Sequence, residues 1–146
     1  MKKFEGQEFF NELEAFLKVL EKNKFTEYVI LKIDFKKPKH SDIDILTTKF
    51  SKLQNILKKN GYKCGKDLRY YKKNKIPIDL HDKVGWNIAQ YSTKKLMGSR
   101  IEKELKGHKF YYIGRWDDFR TKIVHDIYTK LVEIKWRIGK KIGLGA

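Results

Sequence analysis

Six residues constrain this chain more than any others: Ser41-Asp42-Ile43-Asp44-Ile45-Leu46. Acids alternate with β-branched apolar residues, and a strand is the backbone that turns this alternation into two faces. Ile43 and Ile45 then point into a core, and Asp42 and Asp44 share the opposite face. Their Cα atoms lie about 7 Å apart in that geometry. Two carboxylates so close on a half-buried strand repel one another. A hard divalent cation such as Mg²⁺ or Mn²⁺ removes the conflict and leaves coordination sites for phosphate oxygens. Acid triplets of this kind also arise on the solvent face of edge strands, so the tripeptide alone does not establish a metal site.

A second segment adds a third acid. In Ile76-Pro77-Ile78-Asp79-Leu80-His81, Ile78 and Leu80 alternate with Asp79 and His81. Asp79 is a lone acid in an otherwise apolar strand. If this strand neighbours 41–46 in register, Asp79 joins Asp42 and Asp44. Three acids on neighbouring strands suit two-metal phosphoryl or nucleotidyl transfer. One ion activates the attacking hydroxyl there and the other neutralises the leaving pyrophosphate.

The rest of the chain supplies a frame for such a sheet. Phe9, Phe10, Leu13, Phe16, Leu17 and Leu20 recur on one face of a helix over 8–24. Strand composition predicts β-structure over 28–35 and 41–46. Thr47 or Thr48 is placed to cap a helix carrying Phe50, Leu53, Ile56 and Leu57, and Asn60-Gly61 to end it. The segments 68–71 and 76–81 read as an antiparallel hairpin, and 87–97 as a short helix. The segments 100–105 and 108–113 flank Lys106-Gly107 as a second hairpin, although 100–105 suits a helix nearly as well. A long helix follows from about Asp117 to Gly139, its stripe made by Phe119, Ile123, Val124, Ile127, Leu131 and Ile134. This order gives an α+β fold: one domain over 1–146, with a core at about 26–86 and a hairpin plus long helix at about 87–139.

Composition narrows the setting. Lys and Arg total 34 against 18 Asp and Glu, a formal net charge of +16 over 146 residues. That excess favours a polyanionic ligand, RNA among them. Lys outnumbers Arg 29 to 5, a weak match to bidentate base reading, so part of the charge is a solvated lysine coat. No apolar run approaches a membrane span, so no membrane partner is expected. Cys64 is the sole cysteine and forms neither an internal disulfide nor a cysteine zinc site, which fits a reducing, cytoplasmic compartment. Walker A and Gly-x-Ser-x-Gly sequences are absent.

With Ser-Asp-Ile-Asp-Ile-Leu, a helix, Asn60-Gly61-Tyr62 and then Ile78-Asp79-Leu80-His81, the chain resembles the nucleotidyltransferase superfamily, the polymerase-β-like fold. Within it, the chain is similar to a group that carries Leu-Lys-Gly, an Asp-x-Asp strand and a later Val-Asp-Leu-His strand. The resemblance covers about 28–86. Weaker echoes run to Tyr128: Gly107 in a hairpin, Trp116-Asp117-Asp118 opening a helix, and His125 within it. It implies a mixed sheet flanked by helices with a helical C-terminal extension, and transfer of a nucleoside monophosphate from a nucleoside triphosphate to a hydroxyl. Asp42 and Asp44 would hold the metals, and Asp79 would be the third carboxylate and the base.

One departure is local. Lys32 matches the lysine of Leu-Lys-Gly, but Ile33 stands at the glycine, and isoleucine does not allow close backbone approach to a phosphate. Nine positions from Ile33 to Asp42 leave no room for a helix, so a strand–turn–strand connection is expected. Phosphate binding then falls to Lys32, Lys36, Lys37, Lys39 and Ser41, with His81 touching the metal or a phosphate. His40 lies beside the acids and could act on a leaving group, whereas His125 reads as a packed helix histidine. Tyr70-Tyr71 and Phe110-Tyr111-Tyr112, interleaved with lysines, suit either base stacking or the core. Two alternatives share the scaffold: a non-catalytic nucleic-acid-binding protein, and an interaction protein of the toxin–antitoxin type with a protein partner or a second copy of itself.

Overall fold

The structure is a computed structural model. It describes residues 2–65, 70–73, 75–82, 84–86, 89–91, 93–114, 123, 127, 130, 131 and 133–137, with backbone only for 70, 84–86 and 89–91. In chain order the elements are β1 (Phe4–Glu5), α1 (Gly6–Lys22), β2 (Tyr28–Leu31), β3 (Lys39–His40), β4 (Ile43–Thr47), α2 (Phe50–Lys59), β5 (Lys63–Cys64), β6 (Tyr70–Lys72), β7 (Ile78–His81), β8 (Val84–Trp86), β9 (Ala89–Tyr91), α3 (Thr93–Gly98), β10 (Ile101–Leu105) and β11 (His108–Tyr112).

Seven strands form one mixed sheet in the order β10-β11-β2-β4-β7-β6-β5. The pairs β11–β2 and β4–β7 are parallel and the others antiparallel. Residues 28–35 do not form one long strand. Lys32 has φ +53°, a left-handed conformation that no extended strand contains, and β2 stops at Leu31. The expected strand–turn–strand link to β4 is present, and its short β3 pairs with β1 as a separate ribbon.

Pleating gives the large sheet two unlike faces. On one, Ile30, Ile43, Ile45, Ile78, Leu80, Tyr71 and Phe110 are each at most 1% exposed. α2 covers this face: Gln54 Nε2 donates to Tyr71 Oη at 2.7 Å, and Leu53 and Leu57 are fully buried. α1 lies beside it, burying Phe9, Leu13, Phe16, Leu17 and Leu20, with Phe16 edge-on to Tyr62. The opposite face is divided. Towards β2 it is apolar, with Val29, Leu31 and Leu46 buried and α3 against β2 and β4. Towards β7 it carries the acids.

Other local expectations change. Thr47 does not cap α2; its hydroxyl donates to Glu27 O at 2.6 Å and accepts from Lys49 N–H at 3.0 Å, fixing the strand end instead. Within 87–97 only Thr93–Gly98 is helical, and Ala89–Tyr91 pairs antiparallel with Val84–Trp86. The segment after α3 is the hairpin, not a helix: Lys106 and Gly107 both take positive φ, +50° and +83°, the geometry of a tight primed turn. Gly61, at φ +87°, ends α2 as expected. Asp117, Phe119 and Val124 lie outside the described residues. Ile123, Ile127, Leu131 and Ile134 of the expected stripe are helical and 41–50% exposed. Among the described residues no helix is long and apolar enough to cross a membrane.

Candidate metal centre

The site is built by two adjacent parallel strands. Asp44 on β4 is the direct cross-strand partner of Asp79 on β7, and Leu46 that of His81. Direct partners point to the same face, and that face lies opposite the one covered by α2. The apolar alternation of both strands fixes this register, because a slip of one residue would bury the acids and expose Ile45 and Leu80.

His81 Nε2 lies 3.2 Å from Asp44 Oδ1 and 3.1 Å from Asp79 Oδ2. One ligand atom from each of Asp44, Asp79 and His81 fits within 4.8 Å of the others. Asp79 is 5% exposed, and its Oδ1 is buried without a hydrogen-bond partner among the described residues. Leaving a buried carboxylate oxygen unsatisfied is costly. The group therefore offers two carboxylates, one with an unsatisfied oxygen, and an imidazole nitrogen, a donor set that fits a divalent cation.

Charges at the site are strongly coupled. Burial, then repulsion from Asp44 and Asp79, raises the Asp42 carboxyl to about 6. Burial opposes charging of His81, but hydrogen bonds and attraction from Asp44 and Asp79 outweigh it and raise the imidazole to about 9. Protonated His81 is thus the counter-ion of the acid row in the absence of metal, and a cation entering between the acids must displace that proton or the ring.

The basic loop beside the acids is ordered by its own polar contacts. Asp34 Oδ1 accepts from Lys36 N–H at 3.0 Å and Lys37 N–H at 3.1 Å, and Asp34 N–H donates to His40 Nε2 at 3.1 Å. His40 Nε2 is therefore an acceptor, and burial lowers the pKa of its ring; it holds the loop rather than standing free for a leaving group. Tyr112 ties the same loop to β11, its hydroxyl accepting from Ile33 N–H at 2.9 Å and donating to Ile33 O at 3.1 Å. Lys32, Ile33, Asp34, Phe35, Lys36 and His40 line a cavity of about 410 Å³.

The structure thus brings Asp44, Asp79 and His81 together. Asp42 does not share the strand with Asp44 as expected: it lies in the bend before β4 and outside that group of ligand atoms, near enough to feel the charges of Asp44, Asp79, His81 and Lys32. Lys36 lines the neighbouring cavity, and Lys37 is held at its backbone by Asp34. Ser41 is half-buried between β3 and β4. Lys39 is drawn aside, its Nζ 3.2 Å from Glu5. The aromatic candidates divide: Tyr71, Phe110 and Tyr112 are core residues. Trp116, Asp118 and His125 lie outside the described residues. The loop-organising role of Asp34 was missed, although an Asp two and three positions before Lys36 and Lys37 is a signal for a side-chain-capped turn.

No family model matches the chain, and no curated protein matches it in sequence. Among solved structures it is similar to a candidate nucleotidyltransferase from Thermotoga maritima. The TM-score is 0.67 at 11% identity, covering 89% of this chain and 94% of that one. At that identity the likeness concerns the backbone alone. The chain has a nucleotidyltransferase-like fold, an α+β mixed sheet flanked by helices with an acid pair aligned on its central strands.

Proposed function

We propose that the protein is a metal-dependent nucleotidyltransferase that moves a nucleoside monophosphate from a nucleoside triphosphate to a hydroxyl acceptor. The observation that carries this reading is the in-register pair Asp44–Asp79 with an orphaned buried oxygen on Asp79. Asp42, Asp44 and Asp79 would hold Mg²⁺ or Mn²⁺, which lowers the pKa of the acceptor hydroxyl and neutralises the pyrophosphate. Lys32 and Lys36, with the loop held by Asp34, face the cavity that would receive the phosphates. In this reading Lys37, Lys39 and Ser41, from the same loop, and His81, beside the acids, would add further contacts to the nucleotide. In the reaction the acceptor oxygen forms a bond to the α-phosphorus, its proton passes to Asp79, and the bond from that phosphorus to the β-phosphate bridge oxygen breaks. Pyrophosphate leaves with the electron pair.

A second reading has its own support. Ile33 at the glycine position and His81 as a built-in counter-ion both suit a protein that binds nucleotides or nucleic acid without transfer. Incubation with each labelled nucleoside triphosphate and Mg²⁺ or Mn²⁺ separates the two. Transfer or pyrophosphate release that disappears in Asp42→Ala, with the thermal transition intact, supports the enzyme. Metal-dependent nucleotide binding with no turnover for any of the four supports the binding protein.

A further inference from the structure

The positive charge is unevenly neutralised. Lys2 and Lys75 pair with Glu8, and Lys18 and Lys106 with Glu14, so the glutamates of α1 answer the lysines around them. At the other edge of the sheet Lys58, Lys59, Lys63, Lys72 and Lys73 have no acidic partner among the described residues. Lys58 and Lys59 suit the C-terminal end of α2. Lys63 and Lys72 have no such local reason. They are direct cross-strand partners on β5 and β6, where like charges destabilise a sheet.

Register decides which face they occupy. Tyr71, adjacent to Lys72, is fully buried against α2, so Lys72 and its partner Lys63 project to the opposite face. That is the face of Asp44 and Asp79, because β6 pairs with β7 through Tyr70–Asp79. With ordinary strand spacing and rise, the Cα atoms of Lys72 and Lys63 lie about 8 Å and about 12 Å from that of Asp79. A lysine on an edge strand can guard against unwanted pairing. That accounts for Lys63 on edge strand β5, but not for Lys72 on the inner strand β6.

We infer that Lys63 and Lys72 form a phosphate track for a single-stranded nucleic acid, which leads a hydroxyl of that strand to the carboxylate row. The second clause rests on the nucleotidyltransferase reading; the track does not. The ligand is a polyphosphate strand and not a protein because Lys63 and Lys72 are exposed without an acidic partner among the described residues, and none of the exposed large apolar residues among those described belongs to β5 or β6. A protein partner at this edge would lack the apolar anchor that such interfaces use.

Fluorescence anisotropy with labelled 12-nucleotide RNA and DNA, in EDTA and without nucleotide, tests the track independently of catalysis. Wild type should bind at low salt. Lys63→Ala/Lys72→Ala should weaken binding at least about 10-fold and flatten the slope of log K against log salt by about 1.4, the value for two phosphate contacts on a single strand. Lys22→Ala/Lys109→Ala should stay within about twofold of wild type. RNA and DNA bound alike would assign recognition to phosphate, and RNA bound more tightly would add the 2′-hydroxyl; both support the track. Equal loss in the two double variants, an unchanged Lys63/Lys72 variant, or polyglutamate competing as well as the oligonucleotides would overturn it. Lys63→Gln/Lys72→Gln, checked by thermal melting, guards against misfolding. If the track holds but no nucleoside triphosphate with metal gives transfer or pyrophosphate release, the transferase reading fails and the track stands. If a nucleoside triphosphate is turned over with metal but no oligonucleotide binds, the track fails and the transferase reading stands.

Discussion

Where β4 meets β7, its two faces are put to opposite use. Ile43 and Ile45 are 1% and 0% exposed and pack under α2. Asp44, between them, faces Asp79 and His81. One face gains stability from apolar burial. The other gathers like charges that a protonated histidine only partly answers. The contrast teaches that the acid row is held by the core beneath it and contributes little to holding the fold, so damage to the two faces should separate cleanly in experiment.

The largest effect is expected on the apolar face. Ile45→Ala removes fully buried volume and should cost about 2–5 kcal/mol in denaturant unfolding. Asp44→Asn, one residue away, should leave the transition in place or raise it in the metal-free protein while abolishing metal binding. Equal losses from both variants would break the contrast. Next in size is the metal itself. At 100 times its dissociation constant, Mn²⁺ should stabilise wild type by about 2.7 kcal/mol, an increment removed by EDTA and absent from Asp44→Asn.

The third expectation concerns pH. The His81 pKa is raised from 6.5 to about 9 in the fold, so its stabilisation is complete below pH 6.5 and is lost as pH rises through 9. The Asp42 pKa is also raised, from 3.8 to about 6, so the folded protein loses stability as that carboxyl ionises between those values. Both act in the same direction. The melting temperature of metal-free wild type, measured relative to Asp42→Asn, should fall between pH 4 and 6, and relative to His81→Gln should fall between pH 6.5 and 9. Metal affinity should rise over the upper interval, as the competing His81 proton leaves. A difference from the matching variant that rises through either interval would contradict the assigned charges. The smallest effect is at Lys32, where glycine would relieve the left-handed backbone. Lys32→Gly should stabilise by no more than about 1 kcal/mol, and a clear loss would mean that the lysine side chain holds the loop.

What was legible in the sequence follows the same division. Alternation in 41–46 and 76–81 identifies both strands and the shared face of their acids, because period-two burial leaves one register. The apolar spacing of α1 is equally direct. The end of β2 was not legible, because Lys32 carries no sign that its backbone turns left-handed. Nor was the role of Thr47, whose hydroxyl is claimed by Glu27 O, 20 residues earlier in the chain. In 87–97, Ala89 and Tyr91 satisfy a strand as readily as a helix, and pairing with β8 decides. Ile123, Ile127, Leu131 and Ile134 show what periodicity omits: it identifies an amphipathic face, not whether anything covers it.

The central claim is that the acid row is a metal site. Calorimetric titration of Mn²⁺ into metal-free protein at pH 8 tests it most directly, in wild type and in Asp79→Asn. Wild type should bind saturably with heats that depend on the buffer, because protons are released, and a folded Asp79→Asn variant should not bind. Absence of binding in wild type, or equal binding by the two, would contradict it.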